Sequence, residues 1–192
     1  MSPRLCLAAL AAAAAVCPEP ASLRAPSVLD AAFNASRLEG DWYENAYFDP
    51  AQAGASCPTF SNAPNARGGG LRQRFACRYG RVPFGIVYEL APTPDAGVFA
   101  KHVPGTGWLL TLPTTVVDAR ARAGAAAGAP YALVTEYACV VEAGVTVEEF
   151  RVSSRGATVD APTLEDALAT ARAAGVPNAT IAKAVVVDFG DC

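Results

Sequence analysis

Apolar and polar positions alternate strictly through much of the chain. The clearest stretch is Leu71–Tyr79, where Leu71, Gln73, Phe75, Cys77 and Tyr79 interleave with Arg72, Arg74, Ala76 and Arg78. Period two with arginines on one side describes a half-buried strand whose charged face meets water. Phe84, Ile86, Tyr88 and Leu90 then alternate with Gly85, Val87, Glu89 and Ala91, predicting a second strand of the same kind. Similar runs cover 40–48, 97–103, 108–117, 131–140 and 145–153, with a shorter one at 57–62. Successive extended runs broken by Gly, Pro, Asn and Asp predict an antiparallel meander. Residues 121–129 are rich in Ala and Gly, and Gly124, Gly128 and Pro130 make them a loop. Gly68-Gly69-Gly70 lacks the lysine that follows a phosphate-binding loop and reads as a hairpin turn.

One segment has helical periodicity. Thr163 is placed as an N-cap, with Asp166 three residues later, and Leu164, Ala167, Leu168, Ala171 and Ala174 form one apolar stripe. Gly175 and Pro177 close it, so a helix is expected over about 163–174. Residues 181–189 read as a last extended segment. A single late helix after many strands packs naturally on the outside of a sheet.

Composition narrows the function classes. The formal net charge is −3, and it becomes −4 if a leader containing Arg4 is removed, which argues against nucleic acid or an anionic membrane as partner. With His102 the single histidine, a histidine-based metal site is not expected, and neither a metal nor a cofactor is predicted. Residues 1–17 read as a signal peptide: Arg4 is the positive start, Leu5 to Val16 the apolar run, and small residues lie near the end. That run is too short to span a membrane. Lipid attachment at Cys17 is the alternative fate of this segment. Residues 18–37 form an arm with Pro18, Pro20 and Pro26. Cys17, Cys57, Cys77, Cys139 and Cys192 are widely spaced, as in a chain oxidised outside the cytosol. Asn34 and Asn178 stand in glycosylation sequons, consistent with a secreted protein.

In this order the residues resemble the lipocalins, and within them the apolipoprotein D-like branch. Gly40-Asp41-Trp42-Tyr43-Glu44 matches the family's G-x-W-Y-E start. Cys17-Pro18-Glu19-Pro20 is similar to that branch's Cys-Pro-x-Pro opening, and Cys57 follows Trp42 by fifteen residues, the branch's spacing. Tyr131-Ala132-Leu133-Val134 with Cys139, Ser154-Arg155 before the late helix, and Cys192 complete the likeness. Thr114-Thr115-Val116-Val117-Asp118 stands where the family carries T-D-Y. The resemblance implies an all-β fold. It is an eight-stranded antiparallel up-and-down lipocalin β-barrel over 38–192, with one C-terminal α-helix packed outside.

It further implies that Trp42, after Gly40, plugs the closed end under Arg155, and that Cys17 pairs with Cys139 and Cys57 with Cys192. Within such a barrel, alternation assigns Leu71, Gln73, Phe75, Phe84, Ile86, Tyr88, Leu110, Leu112, Phe150 and Val152 to a ligand-lining interior. The expected function is that of a secreted, monomeric carrier of a small apolar ligand such as a lipid, sterol, retinoid, carotenoid or tetrapyrrole. Cys77 is then the spare thiol. It is either a reactive group, as in isomerase-type lipocalins, or a buried small hydrophobe; an apolar site without an adjoining histidine favours the inert thiol. A lipocalin-fold enzyme, including a pigment de-epoxidase-like one, and a protein-interaction module are the alternatives. His102 is expected on the surface. Glu148 and Glu149 are expected on opposite faces of one strand and without acid–base chemistry.

Overall fold

The computed structural model describes residues 17–29, 33–66, 69–103 and 111–192. Residues 1–16, most of the segment expected to be a signal peptide, and Gly68, Trp108 and Leu110 therefore lie outside the described residues. Eight strands follow one another as β1 (Gly40–Phe48), β2 (Ala55–Pro64), β3 (Leu71–Tyr79), β4 (Val82–Pro92), β5 (Val98–His102), β6 (Leu112–Ala121), β7 (Tyr131–Glu142) and β8 (Val145–Ser154). Each pairs antiparallel with the next, and β1 pairs with both β2 and β8, closing the sheet into a barrel. The weak run at 57–62 thus extends into a ten-residue strand. Tertiary pairing with β1 and β3 supplies what local propensity does not.

Two register shifts decide which side chains point inward. In β1 the shift between Glu44 and Ala46 places both Glu44 and Tyr47 on the inner face, opposite Ser153 and Arg151. In β6 the shift between Val116 and Asp118 turns Val116 inward and Asp118 outward, where Asp118 meets Ser27 and Arg120 of the outer layer.

The arm lies along the outside of β6. Ala25 N donates to Val117 O at 2.7 Å and Thr115 Oγ1 to Pro20 O at 3.1 Å, and the short helix α1 (Pro26–Leu29) seats Val28 in the core. A 3-10 turn at Ala35–Leu38 then passes under the barrel, and Trp42 Nε1 donates to Leu38 O at 2.8 Å.

Helix α2 spans Ala161–Ala173, beginning two residues before the expected start. Asp160 is the cap rather than Thr163: its carboxylate accepts from Thr163 N at 2.8 Å, which places Pro162 inside the first turn. Leu164, Ala167 and Ala171 of α2 pack with Leu133, Tyr137, Phe150 and Val152 on the outer face of the barrel. The segment after α2 is not one extended run. It holds a one-turn helix α3 (Asn178–Ile181) and a two-residue strand β9 (Val185–Val186) paired with Ala46 and Tyr47. Thr180 and Ile181 are buried against the barrel, so the tertiary surface imposes the turn on a β-branched sequence.

Candidate functional site

The closed end is built first. Arg155 lies over the Trp42 indole, its guanidinium carbon 3.7 Å from the ring centre. Its nitrogens donate to Tyr131 O (2.9 Å), Asp41 O (2.9 Å), Glu39 O (2.7 Å) and Arg37 O (3.3 Å). One planar fork thereby ties the N-terminal turn, β1 and β7 together, while the ring face supplies a cation–π contact. Burial pulls the Arg155 pKa below its ordinary value, but the group stays a cation. Gly40 is required here: its φ is +94°, and a Cβ would stand 3.0 Å from Arg155 Nη1. Leu38 and Trp42 at this floor pack with Phe60, Leu71, Phe75, Leu90, Phe99 and Val134 into one apolar cluster.

Above the apolar floor the interior is ionic. Arg151 on β8 points inward, donating from Nε to Glu136 on β7 (2.7 Å), from Nη1 to Glu44 on β1 (3.0 Å) and from Nη2 to Gln73 on β3 (3.3 Å). Its guanidinium carbon also sits 4.3 Å from the Phe60 ring centre. Gln73 passes the network on to Asn62 at 3.0 Å, and Asn62 to Leu38 O at 3.1 Å. Burial raises the Glu44 pKa above its ordinary value even though Arg151 opposes the rise. Burial alone would lower Arg151, but Glu136 and Glu44 outweigh it and hold the guanidinium firmly charged.

Nearer the open end lies a cavity of about 660 Å³. Asp49, Pro50 and Ala51 from the turn after β1 border it, with Ile86 and Tyr88 from β4, Lys101, His102 and Val103 at the end of β5, Leu112 of β6, and Val147 and Glu149 of β8. Lys101 is ion-paired with Glu149, and its ammonium lies 5.0 Å from the Tyr88 ring centre. Asp49 Oδ1 accepts from Ala51 N at 2.8 Å and Oδ2 from Gln52 Nε2 at 3.1 Å. Burial first and the charge of Glu149 second raise the Asp49 pKa. Burial likewise raises the Tyr88 hydroxyl far above its ordinary value, so it remains a neutral donor.

The expected lining residues separate into five groups. Ile86, Tyr88 and Leu112 border the cavity. Leu71, Gln73 and Phe75 share the inner face but are packed into the filled lower barrel. Phe84 is on the inner face at the rim, 44 % exposed and edge-on to Tyr79 at 5.9 Å. Leu110 lies outside the described residues. Phe150 and Val152 require correction: they are buried on the outer face beneath α2 and α3, and the inner face of β8 is carried by Val147, Glu149, Arg151 and Ser153. Strand β8 is covered on both sides, so its large apolar residues Phe150 and Val152 pack under the helices while Glu149 and Arg151 face the barrel.

The expectation of a mainly apolar interior with a few polar groups such as Gln73 and Tyr88 is corrected in the same way. Its middle is an ion network. His102 is also not a surface residue: its side chain is 10 % exposed, with Nε2 3.3 Å from Glu89 Oε2 at the edge of the cavity. Asp49, Lys101, Val147 and Glu149 are not among the residues expected to line the interior. The last two lie on the Val147-x-Glu149-x-Arg151 alternation, whose opposite face is the one expected inward.

Cys17 is bonded to Cys139 and Cys57 to Cys192. Cys77 is a buried free thiol facing Phe84 across the β3–β4 ladder, and burial raises its pKa. Asn34 caps the 3-10 turn by accepting from Ser36 N at 2.9 Å, and both Asn34 and Asn178 are exposed. Glu148 turns outward to accept from the hydroxyls of Tyr137 and Thr180, each at 2.9 Å, opposite in direction to Glu149. Among the described residues no group of His, Cys, Asp and Glu could hold a metal ion, and no helix is long and apolar enough to cross a membrane.

No family model and no curated protein matches the sequence. Solved structures do resemble it. Insecticyanin from the tobacco hornworm Manduca sexta superposes with a TM-score of 0.62 at 14% identity, over 88% of this chain and 87% of that one. Lobster apocrustacyanin A1 gives 0.58 at 14% identity, over 83% and 82%. The siderocalin Ex-FABP, described as functioning through dual ligand specificities, gives 0.52 at 14% identity, over 79% and 89%. The architecture is therefore the lipocalin fold: an eight-stranded antiparallel up-and-down barrel with a helix packed outside.

Proposed function

We propose that this protein is a secreted, monomeric lipocalin, akin to the apolipoprotein D-like branch, that carries one small and largely apolar ligand and performs no chemistry on it. The observation that supports this best is the cavity of about 660 Å³ at the open end of the barrel, walled by Ile86, Val103, Leu112 and Val147. That volume falls in the range of small-molecule sites, and a few polar groups on an apolar wall are what orients a ligand there. Affinity would come from apolar burial, about 25 cal/mol per Å² before the losses of association. A lipid, sterol, retinoid, carotenoid or tetrapyrrole fits these terms.

Secretion is supported by the two long-range disulfides and the leader-like segment. A carrier rather than an enzyme is supported by the chemistry of Cys77, whose thiol is kept protonated by burial. The inner carboxylates Glu44 and Glu136 are likewise held by Arg151 rather than poised for proton transfer. Titration calorimetry with one representative of each ligand class is the test. Saturable one-to-one binding by at least one class, lost in an Ile86→Asp variant that still folds, is expected. Absence of heat across the whole set overturns the reading.

A further inference from the structure

Charge inside the barrel is unevenly matched. Among the described residues four carboxylates face the interior or its cavity, Glu44, Asp49, Glu136 and Glu149, against two permanent cations, Arg151 and Lys101, with His102 at the cavity's edge. Arg151 is committed to Glu44 and Glu136, and Lys101 to Glu149. Among the described residues Asp49 pairs with no cation; only a backbone amide and a Gln52 amide donate to it. Glu149 acts on Asp49 more strongly than Lys101 does, so the second carboxylate is felt as uncompensated charge.

The two carboxylates also occupy a boundary. Both border the large apolar cavity, and both border a void of about 20 Å³ beneath it that reaches Glu136 and Arg151. That void holds about one water. Along β8 Val147 lies nearer the rim than Glu149, and along β4 Ile86 nearer than Tyr88. Along β8 the cavity wall thus runs from apolar at the rim to acidic further in.

Building on the ligand-binding reading above, we propose that this cavity selects amphiphiles with a protonated amine at one end, seated between Asp49 and Glu149, with the apolar body directed toward the rim. An incoming ammonium supplies the missing positive charge beside two half-buried carboxylates, where Coulomb interactions are stronger than in bulk water. It leaves the Lys101–Glu149 pair intact. A carboxylate head would do the reverse: it would add a further negative charge and have to compete with Glu149 for Lys101. A neutral hydroxyl lies between the two.

Three probes with the same tail separate the cases: dodecylamine, dodecanol and dodecanoate, each titrated calorimetrically into the full mature chain at neutral pH. The amine should bind roughly tenfold or more tighter than the carboxylate, the ratio expected when one poorly solvated charge pair is gained or lost. In Asp49→Asn that ratio should fall toward unity, with dodecanol affected less than the amine. Glu149→Gln, which frees Lys101, should weaken the amine and strengthen the carboxylate; it serves also if the first variant does not fold. A carboxylate bound as tightly as the amine in the native chain overturns the amine preference but leaves apolar binding standing. Full amine preference retained in both variants overturns the placement of the head group. Failure of all three probes instead counts against the ligand-binding reading itself.

Discussion

Arg151 donates to Glu44 at 3.0 Å in the middle of the barrel, joining β8 to β1 across 107 residues of sequence. The same guanidinium holds Glu136 at 2.7 Å. Two carboxylates thus depend on one cation in a place water hardly reaches. Arg151→Met should therefore destabilise the fold by about 3–5 kcal/mol, the cost of leaving buried charge unpaired. The triple variant Arg151→Met, Glu44→Gln, Glu136→Gln should recover most of that loss. Urea denaturation of both proteins checks it; a single variant within 1 kcal/mol of the native chain, a bound set by the value of exposed ion pairs, would show the network to be solvated.

The pH dependence of Glu44 has a defined sign. Its folded pKa is raised above the ordinary 4.5 because burial disfavours the anion. Its contribution to stability is complete below that ordinary value and is lost as pH rises through the folded pKa. Glu44→Gln removes this titration. Relative to the native chain, the variant should gain stability progressively as pH climbs from 4.5 to neutrality. Asp49, also raised by burial, adds a slope of the same sign that the variant keeps. Melting curves at half-unit pH steps would expose the error if the difference instead moved against the variant.

Arg155 carries four carbonyl contacts and the Trp42 ring. Arg155→Ala should cost about 3 kcal/mol, since charged hydrogen bonds and a partly desolvated cation–π contact are lost together. Arg155→Lys should restore less than half, because an ammonium cannot reproduce the planar fork. Equal rescue by lysine, seen in chemical denaturation, would mean that charge alone matters.

Side-chain direction on β8 and β6 gives a separate test. Val152→Ala should lower stability by about 2 kcal/mol, as core truncations do, with ligand affinity untouched, because Val152 packs under α2. Leu112→Ala should weaken ligand binding several-fold because Leu112 borders the cavity. Thermal melts and titrations of both variants decide it; a swapped pattern would invert the strand faces.

The disulfides close separations of 122 and 135 residues. By chain entropy each is worth about 4–5 kcal/mol. Replacing Cys57 and Cys192 by serine should lower the melting temperature by on the order of 10 °C. Cys77, buried and with its thiol pKa raised, should resist iodoacetamide in the native chain and react on unfolding. Rapid native alkylation would contradict its burial.

The alternation of Leu71–Tyr79 and of Phe84 to Leu90 was sufficient to place two strands and their inner faces, because each has one wet side and one dry side. Gly40-Asp41-Trp42 and Arg155 marked the closed end, and the spaced cysteines an oxidised chain. Strand β8 resisted the same reading. Both of its sides are covered, one by α2 and one by the barrel, and apolar burial has no direction of its own. Only the third dimension decided that Phe150 and Val152 go to the helix and that Arg151 meets Glu44, Gln73 and Glu136 from three other strands. Charges so far apart in sequence carry no local signal of their pairing; it arises when the sheet closes and water leaves.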